Sequence, residues 1–219
     1  MSTLATLRQQ ARQQAMRIDP NARIWSDAVL SEALTKAVNQ IQQDGDFSWS
    51  FNDAENTTAT VASQAAYTLP TDFVRIEADT VLWNNSVLEP TDYRYFLKNR
   101  AWITTDGTPS RYALRGNYIY LALRPNAIQN LTYGYRKKLT KMSADSDDSG
   151  MPDEFNRALT TFAIYLCFSD IEGKQDLAVT AIQSYNELMK GLFSQYLGTR
   201  DENNFIFSFE TIGTYSSIL

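Results

Sequence analysis

Apolar positions along this chain follow two different periods. Before residue 45 and after residue 152 they recur every three or four residues, the spacing of an amphipathic helix. From Tyr67 to Tyr135 they mostly recur every second position, the spacing of a half-buried strand. A tyrosine- and β-rich block is thus held between helical ends. The expected fold is α+β: a helical bundle from the N- and C-terminal helices, with an inserted antiparallel β module and an extended C-terminal arm. The boundaries read as 1–46 for the first helices, 47–139 for the module, 140–150 for an acidic linker, 151–198 for a helical hairpin and 199–219 for the arm.

In the first helix Leu4, Leu7, Ala11, Ala15 and Ile18 share one face, and Asp19-Pro20-Asn21 ends it. Ser26 is placed to cap a second helix, with Trp25 and Leu30 spaced as a hydrophobic staple. Leu30, Leu34, Ala37, Val38 and Ile41 form its apolar stripe, and Asp44-Gly45 stops it. Phe47, Trp49 and Phe51 alternate with serines and read as a short strand. Residues 52–57 read as a polar loop. Strands are expected over Thr60–Leu69 and Phe73–Trp83, with a turn at Asn84-Asn85 leading into Val87-Leu88. Thr91 is placed to cap a short helix holding Tyr93, Phe96 and Leu97. Asp106-Gly107-Thr108-Pro109 reads as a loop. Arg111–Arg115 and Tyr118–Leu123 flank Gly116-Asn117, a two-residue turn suited to type II′. Arg124-Pro125-Asn126 ends that strand, and Leu131–Leu139 supplies another.

Residues 140–150 carry Asp145, Asp147 and Asp148 among serines without apolar periodicity, so they read as a solvated acidic linker. Asp145-x-Asp147-x-Ser149-Gly150 resembles the start of a calcium loop, but position twelve is Asn156 instead of glutamate. Pro152 opens the next helix, with Phe155, Ala158, Leu159, Phe162, Ala163 and Leu166 on its apolar face. Gly173 breaks the chain. A long helix follows through Leu177, Ala181, Ile182, Tyr185, Leu188, Met189, Leu192 and Tyr196, and Gly198 ends it. The short connection makes these two helices antiparallel neighbours. Beyond them Phe205, Phe207 and Phe209 alternate, with Ile206 and Ile212 opposite and Tyr215 and Leu219 further on. So apolar an end is expected to dock on another chain as an extended arm, with folding back on the chain's own β module as the alternative.

Composition narrows the chemistry. The 219 residues contain no histidine and one cysteine, Cys167. Ser-His-Asp and Cys-His catalysis are therefore excluded, as is an intrachain disulfide, and no cofactor or metal site is expected. Cys167 falls inside a helical pattern and reads as a buried, inert thiol. Twenty basic against twenty-five acidic residues give a net charge of −5, a poor match for gripping phosphates. No apolar run approaches a membrane span, and no signal peptide is visible at the N-terminus, which points to synthesis in a cytoplasm.

Four landmarks carry a family resemblance: Trp25-Ser26-Asp27 before a long helix, Tyr67-Thr68-Leu69-Pro70-Thr71-Asp72-Phe73 opening the β insertion, Gly107-Thr108-Pro109 with Tyr112, the Gly116-Asn117 hairpin and Arg124-Pro125, and Met151-Pro152-Asp153-Glu154-Phe155 starting the closing helices. In this order and spacing the chain resembles the head–tail adaptor (connector) proteins of short-tailed bacteriophages. The resemblance implies a structural protein of the virion, made in the host cytoplasm and not an enzyme. It implies a homo-oligomeric ring of twelve subunits between the portal protein and the tail nozzle, through which duplex DNA passes without specific binding. It also gives the arm, with Phe205, Ile206, Phe207, Phe209, Ile212, Tyr215 and Leu219, a place along the portal.

Two other readings of the residues stand beside this one. The module can be read as a glycan- or peptide-binding surface of a decoration or tail-associated protein, built on Tyr93, Tyr95, Trp102, Tyr112, Tyr118 and Tyr120. Alternate spacing of such aromatics also suits cross-strand packing. An enzyme with paired carboxylates would draw on Asp72 with Glu77 or Glu89, though nothing in the sequence sets their separation.

Overall fold

The computed structural model describes residues 2–20 and 25–197. Its helices are α1 (Leu4–Ile18), α2 (Asp27–Asp44), the short α3 (Tyr93–Lys98) and α4 (Ala101–Thr104), then α5 (Asn156–Ser169) and α6 (Gln175–Tyr196). The first two and the last two meet in one bundle. Ser26 caps α2 by accepting the Val29 N–H, and both staple residues, Trp25 and Leu30, are buried. α5 is the central helix. It is buried on nearly every side, from Ala158 and Leu159 through Ile164 to Phe168, and it packs against α1, α2 and α6. An all-round apolar helix belongs in an interior for this reason. Cys167 lies there too, its thiol pushed up to about 11 by burial.

Trp49 is fully buried and closes one end of the bundle. Its indole N–H donates to the Ile41 carbonyl at 2.7 Å, and its ring stacks on Phe193 with centroids 5.0 Å apart. Phe155 meets it edge-on at 5.2 Å. The expected strand over Phe47, Trp49 and Phe51 is therefore absent. Asp46 and Phe47 both adopt left-handed backbone angles, φ 47° and 55°, and a 3₁₀ turn follows at Ser50–Asn52. That sharp bend rolls Trp49 and Phe51 into the helical core instead of laying them along a sheet.

The inserted module has three layers. The first sheet orders β1 (Asp53–Ala59), β11 (Asn130–Lys137), β4 (Leu82–Trp83) and β5 (Ser86–Val87), with β3 (Phe73–Ile76) also on β11. The second orders β2 (Ala66–Thr68), β9 (Tyr118–Ala122), β8 (Arg111–Arg115) and β6 (Glu89–Pro90). Pairing is antiparallel except for β6 on β8 and a short pair of β10 (Arg124–Pro125) with β7 (Asp106–Gly107). Strand alternation divides the side chains between layers. Ile119 and Leu121 of β9 face Trp83, Leu131 and Tyr133 of the first sheet. Tyr120 and Ala122 face the other way, where Phe96 of α3 and Trp102 of α4 cover them.

Several local expectations change. Residues 52–57 form most of β1, which pairs with β11 over its whole length. Its polar composition hides it, because its inward positions carry only Ala54, Asn56 and Thr58. Thr60–Leu69 contains only the short β2, and Phe73–Trp83 splits into β3 and β4 around a turn with Asp79 at φ 60°. Asp92, not Thr91, caps α3, accepting the Arg94 N–H at 2.8 Å. The Asp106-Gly107 loop pairs with Arg124-Pro125 as β7 and β10. The two hairpin turns stand as read: Asn84 and Asn85 are left-handed at 48° and 62°, and Gly116 is at 55°.

The segment 140–150 is more than a solvated connection. Met142 is buried in the helical core, the Asp147 carbonyl accepts the Leu4 N–H at 2.8 Å, and the Asp145 carboxylate pairs with Arg8. It straps the start of α1, leaving mainly acidic side chains outside.

Candidate assembly surfaces

The chain enters the module after Asn52 and returns at Leu139, and one buried side chain holds both crossings. Gln42, on the inner face of α2, accepts from Asn52 Nδ2 at 3.1 Å and from the Leu139 N–H at 2.7 Å. Asn52 Nδ2 also donates to the Lys137 carbonyl at 2.8 Å. Charges flank this neck. Arg75 reaches the Asp46 carboxylate, and Arg136 bridges Asp53 and Glu77. Bundle and module are thereby set at one fixed orientation.

The residues with candidate chemistry are occupied elsewhere. Asp72 accepts the Tyr135 hydroxyl at 3.1 Å, Glu77 is paired with Arg136, and Glu89 with Arg111 at 3.2 Å. These carboxylates serve three separate contacts and do not form a pair across one cleft. In the aspartate-rich segment, the Asp147 carboxylate accepts the N–H groups of Ala144 and Ser143, each at 2.8 Å, which holds it below the usual carboxylate range. Among the described residues no cluster of His, Cys, Asp or Glu could hold a metal ion, and no helix is long and apolar enough to cross a membrane.

The aromatic set of the module is mostly structural. Tyr112 is buried in the sandwich, while Tyr93, Trp102 and Tyr120 pack around Phe96. Tyr95 and Tyr118 remain exposed on different elements. The six do not line one ligand groove. A groove of about 1170 Å³ does open between α1 and α6 over the start of α5. Its floor is a closed polar set: Gln14 donates to Thr161 Oγ1 at 2.8 Å and accepts from Thr160 Oγ1 at 2.9 Å. The seven arm residues, Phe205, Ile206, Phe207, Phe209, Ile212, Tyr215 and Leu219, lie outside the described residues. The last described turn is in place beside Trp49, where Tyr196 packs on Phe155 with ring centroids 5.2 Å apart.

A bundle of terminal helices carrying an inserted β sandwich is the architecture that the resemblance implies. The family model described as SU10 adaptor protein matches residues 2–205, which takes in the whole bundle and module. The chain belongs to the SU10 adaptor family. This adaptor is thus a head–tail adaptor protein of a bacteriophage, a structural component of the virion. The chain matches no curated protein. No single motif carries the adaptor's membership. The order of turn and cap signals along the chain is what the sequence offers, and the neck residues Gln42 and Asn52 carry no signal of their own there.

Proposed function

We propose that the adaptor acts by assembly, as a ring of twelve copies between the portal protein and the tail nozzle. Family membership across bundle and module is the observation that carries this reading. Twelve copies at −5 each give about −60, and like charge around a channel lets duplex DNA slide instead of adhering. The subunit is a monomer until it meets the portal, and its polar, charged exterior suits that order of events.

The C-terminal arm is assigned to the portal, with Phe205, Phe207 and Phe209 as anchors. Phe207→Ala and Phe209→Ala are each expected to weaken portal binding by about 1–3 kcal/mol. Calorimetry against purified portal protein measures this, and electron microscopy of the mixture shows the ring. Removal of residues 199–219 is expected to abolish binding while leaving the thermal transition of the monomer in place. A deleted chain that no longer folds assigns the segment to the subunit's own core. A persistent monomer in the presence of portal overturns the ring.

A further inference from the structure

The β module exposes two unlike surfaces on opposite sides. One is the outer surface of the first sheet, open at Thr57, Thr132 and Leu82 and covered toward the neck by Thr80, Glu77 and Arg136. There β1 presents Asp53, Glu55, Thr57 and Ala59, opposite Arg136, Gly134, Thr132 and Asn130 of β11. Thr57 and Thr132 share a 3.0 Å hydroxyl contact at its centre, while the Thr80 and Glu77 side chains lie over Gly134 at its neck end. Val87, paired with Leu82 at the rim, is 59% exposed. Asp46 is paired with Arg75, and Asp53 and Glu77 share Arg136, so with Glu55 the margin carries four acids against two bases.

The other surface is the outer side of α3 and α4, beyond the second sheet. Tyr95 and Leu97 are 54% and 53% exposed, an unusual cost for two large side chains on one six-residue helix. Arg94, Lys98 and Arg100 surround them, all exposed. Arg111 and Arg115 extend the basic surface, their guanidiniums over the rings of Trp102 and Tyr93 at 5.7 and 4.7 Å. Only Glu89 and Asp92 oppose these five bases, in a chain whose overall charge is negative.

We infer that adjacent copies of the adaptor stack head to tail through these surfaces, α3 of one lying on the first sheet of the next. The occupant of each surface is a second copy of this chain, because one chain carries both complements. A short helix with an apolar centre and a basic rim meets the open part of a sheet face with an acidic margin, and a sheet face is stably covered by a helix. Unlike patches on opposite sides give a heterologous contact, which closes into a ring when the rotation per step divides a full turn. The inference rests on the ring reading and adds to it the surface by which the ring is closed.

A disulfide trap tests it, since the chain's own thiol is buried. Thr57→Cys and Leu97→Cys in one chain, oxidised in the presence of portal protein, are expected to give a ladder at multiples of the 24.9 kDa subunit. Either substitution alone is expected to give no ladder. Dimers from Leu97→Cys alone indicate a two-fold contact and overturn the inference, as do rings on the portal without any ladder from the double variant. A charge swap reads the same contact without cross-linking. Arg94→Glu with Lys98→Glu is expected to lower the ring yield about tenfold, and adding Glu55→Lys to restore most of it. Equal yields from all three proteins overturn the inference alone. Absence of rings from the wild type removes the ring reading with it.

Discussion

Gly45 has no room for a methyl group. A Cβ built there falls 2.1 Å from Trp49 Nε1, and the indole is fixed by its bond to the Ile41 carbonyl. Gly45→Ala is expected to cost about 1–3 kcal/mol, read as a lower urea midpoint with an unchanged slope. One residue earlier, Asp44 ends α2 with its carboxylate half-enclosed, accepting from Tyr185 and from Gln40. Burial raises its pKa above 3.8 despite those two bonds. Because the folded value exceeds the unfolded one, the folded state holds the proton more tightly. The resulting stability is complete below pH 3.8 and is lost as pH rises through the raised value. Wild type is therefore expected to gain stability relative to Asp44→Asn as pH falls through that window, in urea titrations at pH 7 and pH 4. The same burial, with the neighbouring carboxylate, drives the Tyr185 phenol upward, so it stays a donor throughout.

Among elements, the helices were legible because their apolar stripes are long and their caps local. α2 shows this most clearly, with its Ser26 cap and the Trp25–Leu30 staple visible in six residues. The turns were legible for the same reason. Asn84 and Asn85 occupy left-handed angles that a β-branched residue resists, so Asn85→Val is expected to cost about 1–2 kcal/mol in thermal or chemical unfolding. Strands whose burial comes from distant partners were not legible. β1 contains no large apolar residue, and its strand state depends on seven partners in β11, roughly eighty residues away in sequence. Phe47, Trp49 and Phe51 fail in the opposite sense. Their alternation mimics a strand, but Trp49 and Phe51 are buried against Phe155, and Trp49 against Phe193, which the local pattern does not contain.

For the whole molecule, the sequence foretold an inserted module between helices but not how the two parts are joined. The neck depends on a glutamine inside an otherwise apolar stripe and an asparagine at the start of a polar run, neither distinctive alone. Gln42→Ala removes the acceptor of two buried donors and is expected to cost about 1–3 kcal/mol, with faster exchange of the Leu139 amide hydrogen as the specific readout. The candidate surfaces were similarly hidden. Basic and aromatic residues of α3 and β8 come together only after folding, while Glu55 reaches the far side through the pairing of β1 with β11.

The end of α6 and the root of the module share one locality, since Trp49 touches Phe193 and Tyr196 while its carbonyl accepts from Arg136. A pull applied at Leu197 is thus delivered at the root from which the sandwich hangs, without crossing the length of the helices. Tension on the tail end of the chain therefore loads the same contacts that hold the sandwich in place.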